Sequence, residues 1–187
     1  MLLAQLREAY GRVVYSHKKH EKQADICFGR HRILQGCLVA LTALSSGTFL
    51  ASLLGLAGSP EVASLVTSFV AVVVSALSLS AKQFKFSEEA TAHRDIAGQL
   101  WDVRESYLSL ITDFMTTNLE DVEIRERRDQ LQKATGAIYS GAPRTIPKAY
   151  AKARDGLKNN EELMFTSREI DLLLPEALRL NEEEAHS

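Results

Sequence analysis

The chain has 187 residues, a net charge of -2 at neutral pH and 45% apolar side chains, with two cysteines. That balance lacks the basic surplus of a nucleic-acid binder, and no nucleic acid is expected as a partner. Cys27 and Cys37 stand at no metal-ligand spacing and read as small apolar fillers without a disulfide.

Residues 1–32 place Leu3, Leu6, Tyr10, Val13, His17, His20, Ala24 and Cys27 at alternating three- and four-residue steps, one stripe of an amphipathic helix. Its end is basic, with Lys18, Lys19 and Lys22 followed by Arg30, His31 and Arg32. Charge then stops. Between Arg32 and Lys82 the only charged side chain is Glu61, which divides an uncharged run of 28 residues, Ile33 to Pro60, from one of 20, Val62 to Ala81. About 20 predominantly apolar residues suffice for a helix to cross the hydrocarbon core, so each run is long enough. GLAGSPE, Gly55 to Glu61, carries the residues of a tight turn between them. Lys82 and Lys85 follow the second run, and the turn holds no Lys or Arg. The positive-inside rule therefore predicts a transmembrane hairpin with both termini cytoplasmic. No signal peptide is expected ahead of it.

From residue 87 to 116 the helical stripe returns as Ala90, His93, Ala97, Leu100, Arg104, Tyr107, Ile111 and Phe114. With no proline or loop signal at either membrane boundary, both amphipathic helices are expected to continue straight out of the spans. They would then lie antiparallel, stripe to stripe, in a cytosolic bundle. A further helix is predicted over about Leu119 to Tyr139, capped by Asn118 with Glu120, Asp121 and Glu123 in its first turn. SGAPRTIP, from Ser140 to Pro147, interrupts it. Pro147 opens a helix to Lys158, and Thr166 with Glu169 forms a capping box for a last one. The tail after Leu180 is expected to be disordered.

Three sets of residues are candidates for function. In the second span Ser64, Ser68, Ala71, Ser75 and Ser78 share a helix face, while Leu65, Phe69, Val70, Val73, Val74 and Leu77 suit lipid. In the first, Gln35, Thr42, Ser45 and Ser52 share a comparable face. Hydroxyls so arranged can line a weakly polar pore built from several copies. The same small residues also permit close helix packing within a bundle. His20 and His93 lie at matching distances from the spans and are expected to meet in a polar layer rather than at a metal. Arg144, Lys148, Lys152 and Arg154 cluster at a helix start, where a nucleotide phosphate or lipid headgroup could be received; a solvated basic face is the plainer reading. No Gly-rich phosphate loop, G-x-S-x-G or H-E-x-x-H is present, so no enzymatic activity, no cofactor and no metal are expected.

The segments YSHKKHEKQAD, GLAGSPE, FKFSEEATAHRDIAGQLWDVRESY, IYSGAPRTIPKAYAKAR and TSREIDLLLPE together resemble the SLATT family over nearly all of residues 5 to 180. These are two-transmembrane bacterial proteins found beside nucleotide-second-messenger synthases and other antiphage sensors. The motifs are helix-packing patterns and bring no catalytic residues with them. The resemblance implies a membrane-disrupting, pore-forming effector, silent until an upstream sensor protein or a nucleotide second messenger acts.

The expected architecture is thus all-α. Residues 1–32 form a cytosolic helix, residues 33–81 the hairpin (spans about 33–55 and 62–81), and residues 82–187 a cytosolic helical region. The expected partners are the lipid bilayer, further copies of the chain as a homo-oligomer, and the upstream sensor. The expected function is conditional permeabilisation of the inner membrane during phage infection. An alternative is a non-conducting membrane scaffold whose cytosolic bundle recruits a partner.

Overall fold

The computed structural model describes residues 1–45, 60–116, 120–176 and 179, and every regular element among them is helical. In chain order these are α1 (Leu2–Ser45), α2 (Pro60–Gln83), α3 (Phe86–Thr116), α4 (Asp121–Gly141), α5 (Pro147–Lys158) and α6 (Ser167–Leu173). Ser52, most of the GLAGSPE turn, Asn118 and the tail after Leu180 lie outside the described residues.

α1 is one uninterrupted helix of 44 residues, about 66 Å long at 1.5 Å per residue. Its predicted stripe is its packed face: Leu6, Val13, His17, His20, Ala24 and Cys27 are buried, joined by Ala9 and Gln23. α3 runs antiparallel along it. Ala90, His93, Ala97, Leu100, Arg104 and Tyr107 are buried there, together with Ile96, Val103 and Leu110. The core cluster joins Leu6, Ala9 and Val13 to Ile96, Leu100, Val103, Tyr107 and Leu110, and α4 closes it with Ile124. Burial of this apolar surface is the main force holding the bundle.

α5 lies against α1 with Ala149, Ala153 and Leu157 buried, and Gly156 leaves room for the Glu162 side chain. Gln23 fixes the approach by accepting a hydrogen bond from the Ile146 N–H at 3.1 Å. Beyond α5 the chain turns back through Glu161 and Leu163, both in the left-handed region at φ 51° and 73°. Side chains rarely adopt that conformation, and it persists where surrounding contacts enforce it. Here the enforcing contact is Glu162, whose carboxylate sits 2.7 Å from Lys18 and 2.7 Å from Lys22. Burial alone would lower the pKa of Lys18, but Glu162 and Glu21 outweigh it and hold the ammonium above its usual value. α6 begins as its sequence predicts. Thr166 accepts from the Glu169 N–H, and the Glu169 carboxylate accepts from the Thr166 N–H at 2.7 Å.

Two expectations are corrected. The second amphipathic helix does not continue straight out of α2, because Phe84 and Lys85 break the helix between them. The Phe86 N–H turns back to the Phe84 carbonyl at 2.7 Å, and the two rings stack at 5.6 Å and 8°. Lys85 reaches Glu88 at 2.9 Å, and Glu88 with Glu89 supplies the acidic first turn that lets a new helix start. α4 is also displaced from its expected bounds, beginning at Asp121 and absorbing Ser140 and Gly141. Ala142 turns out of it into extended backbone, just ahead of Pro143.

Candidate functional site

α2 is apolar and lies largely open. The stretch beginning at Ser64 is long and apolar enough to cross a membrane, with mean hydropathy 2.0 over its best 18-residue window and none of that window buried within the chain. It is the single such stretch among the described residues, since the uncharged run of α1 continues past Ser45 into undescribed ones. The two helices pack along an apolar seam: Leu34, Leu38 and Leu41 of α1 are half-buried, as are Val70, Val73, Val74 and Leu77 of α2. The sequence assigned those four α2 residues to lipid; the structure turns them toward α1 instead. Ser64, Ser68, Ala71, Ser75 and Ser78 are consequently exposed on the single chain, and so are Gln35 and Thr42. Ser45 ends α1. A stripe of hydroxyls facing lipid is poorly satisfied, so this face suits a second protein surface or water.

Beyond the seam with α2, α1 and α3 enclose a polar layer. His20 and His93 meet with Nδ1 to Nδ1 at 2.9 Å, at the matching depth that the sequence predicts. One ring must donate and the other accept, so the contact requires at least one neutral imidazole. Burial first, then the charges of His93, Lys19 and His17, lower the His20 pKa to about 4. Burial lowers that of His93 too, against the opposing pull of Glu89. His17 Nδ1 lies 3.0 Å from the Ala97 carbonyl, which can only accept, so Nδ1 carries the proton. Gln23 donates to Cys27 Sγ at 3.3 Å, and the thiol donates to Glu89 at 3.7 Å. Burial pushes the Cys27 thiol up. Among the described residues no group of three or more His, Cys, Asp or Glu is placed to hold a metal.

The histidine pair makes bundle stability depend on pH. An unfolded imidazole titrates near 6.5, and folded His20 near 4. The contribution is complete above pH 6.5 and is lost as pH falls toward 4, because only the unfolded chain takes up the proton. Over that window the loss is about 3 kcal/mol for His20 alone. Thermal melts of detergent-solubilised protein should show the decline, and His20→Gln/His93→Gln should flatten it. Glu162, held below the usual carboxylate range by Lys18 and then Lys22, contributes its own loss only below pH 4.5.

Arg144, Lys148, Lys152 and Arg154 are all exposed, on α5 and the segment before it. None of the four is enclosed, and on α5 Arg154 lies across the buried Ala149/Ala153 face from Lys148 and Lys152. Three features escaped the sequence. Gln23 is buried between His20 and Cys27, off the three/four stripe. Arg104 lies over the Trp101 ring at 4.3 Å, making that indole the wall of a groove rather than core. Glu162 reaches Lys22 from 140 residues away, for which local sequence carries no signal.

A family model described as SMODS and SLOG-associating 2TM effector domain family 4 matches residues 2–169. Comparison with curated proteins and with solved structures returns no match.

Proposed function

The chain belongs to the SMODS and SLOG-associating two-transmembrane effector family, and from that premise we propose that it is a conditional pore-former of the bacterial inner membrane. Acting within an antiphage defence system, it oligomerises and permeabilises the membrane when an upstream sensor is triggered. Residues 33–81 form the two-span hairpin, and residues 1–32 with 82–187 form the cytosolic part. Both termini lie in the cytoplasm, a reading supported by the basic residues at the same end of both spans.

The observation that carries the reading is the open serine face of α2. With the apolar Val70/Val73/Val74/Leu77 face taken up by α1, the hydroxyl stripe points away from the hairpin. Two helices enclose no conduit. Several copies placed with Ser64, Ser68, Ser75 and Ser78 inward would line one, with Gln35, Thr42, Ser45 and Ser52 contributed by the first span. Closed and open packings need differ by only a few kcal/mol for a trigger to change the open fraction greatly.

Membrane potential tests the proposal. Inducing the chain in a bacterial host with its upstream sensor, under phage challenge, should depolarise cells loaded with a voltage-sensitive dye. Unchanged potential at confirmed membrane expression would exclude a pore and favour the scaffold.

A further inference from the structure

The helix break between α2 and α3 creates an opening that the pore reading does not use. It measures about 260 Å³ and lies where the charge-free part of α1 begins and that of α2 ends. His31, Leu34 and Gln35 line it from α1, Lys82 from α2, and Phe84 and Lys85 from the break. Resting on the hairpin reading, this opening sits at the cytoplasmic boundary of the hydrocarbon core. We infer that it is a binding site for the phosphate headgroup of an anionic phospholipid of the inner leaflet.

Charge, shape and position support this occupant together. His31 of α1 faces Lys82 and Lys85 across the opening, giving basic side chains from both sides of the seam, with Arg30 and Arg32 flanking His31 in sequence. Glu88, on the rim, is neutralised by Lys85 at 2.9 Å. Lys82 and His31 have no partner among the described residues. The opening also meets the first turn of α3, where the helix N-terminus favours an anion. Its lining is half apolar. Leu34, Ala81 and Phe84 offer surface that a free phosphate cannot use but the glycerol and first methylenes of a lipid can. Phe84 and Phe28 are exposed, at 55% and 46%, and an exposed ring at this depth belongs with lipid. Arg30 lies over the Phe86 ring at 5.9 Å, placing a guanidinium beside the same turn. A headgroup seated here would bridge α1, α2 and α3 across the break.

The test uses the full chain in nanodiscs of phosphatidylcholine mixed with phosphatidylglycerol, with retained lipid read by native mass spectrometry. Phosphatidylglycerol should be retained preferentially. His31→Gln/Lys82→Gln should reduce that preference by about fivefold for each full charge removed near the surface, while Lys148→Gln/Lys152→Gln should leave it unchanged. Equal retention of both lipids, or an equal drop in both variants, overturns the site. So does full displacement of the lipid by soluble glycerol phosphate, which would reveal a free-phosphate site. Alkaline carbonate extraction separates the two readings. Protein that washes off refutes the hairpin itself; protein that stays embedded without lipid preference refutes only this site.

Discussion

Ser68→Leu/Ser75→Leu should abolish depolarisation while leaving the chain in the membrane at its normal level. The two serines lie two turns apart on the open face of α2, away from the apolar seam with α1. Leucine there adds no charge and is better suited to lipid than serine, so insertion and hairpin packing are retained. What changes is the surface offered to a central conduit. Two isobutyl groups per copy replace two hydroxyls, narrowing the lumen and removing its hydrogen-bonding groups, and a hydrophobic constriction closes by dewetting. The expected loss is essentially complete, read as a dye signal indistinguishable from uninduced cells. Val73→Ser serves as the contrast, because it weakens the seam without touching the lumen. Depolarisation that persists in the double leucine variant would remove these serines from any pore, and the scaffold would then be tested by mutating the exposed face of α5 and α6.

The parts of this molecule that were legible in its sequence are those governed by local periodicity. The stripe from Leu6 to Cys27 and its counterpart from Ala90 to Tyr107 became the two faces of the main seam, because a helix that buries one side must repeat at three and four residues. The caps at Pro147 and Thr166 were legible for a similar reason, since each needs only residues within one turn. The meeting of His20 with His93 was legible too, and followed from counting residues outward from the two uncharged runs. Contacts between distant segments were not. Which face of α2 meets α1 depends on the rotation of the helices; composition assigned Val73 to lipid, whereas the fold turns it toward α1 and leaves Ser75 exposed. The break at Phe84 was hidden because no glycine or proline marks it. It arises from ring stacking and an acidic first turn, both compatible with an unbroken helix in sequence. Glu162 was hidden because its two lysine partners lie at the other end of the chain.

Leu100→Ala carries the second large expected effect, on stability and on silence together. Leu100 is fully enclosed in the core cluster, among residues of α1 and α3. Truncation to alanine there costs about 2–5 kcal/mol, from lost transfer energy and the cavity left behind. That is a large part of what a bundle of this size holds in reserve, and the melting temperature of the solubilised protein should fall by several degrees. The functional consequence follows from where the core lies. α1 is continuous from Leu2 to Ser45, so its seam with α3 and its seam with α2 share one rigid rod. Loosening the seam frees that rod to shift against α3 at the break. If the bundle is what holds the spans in their closed packing, a deficit of this size is of the same order as the few kcal/mol separating two such packings, enough to shift their balance. Cells expressing Leu100→Ala without the upstream sensor should therefore leak where the unmodified chain stays silent. Adding Ser68→Leu/Ser75→Leu should suppress the leak without restoring the melting temperature. A destabilised variant that remains silent would show that the bundle acts only as a partner-binding surface and does not hold the gate.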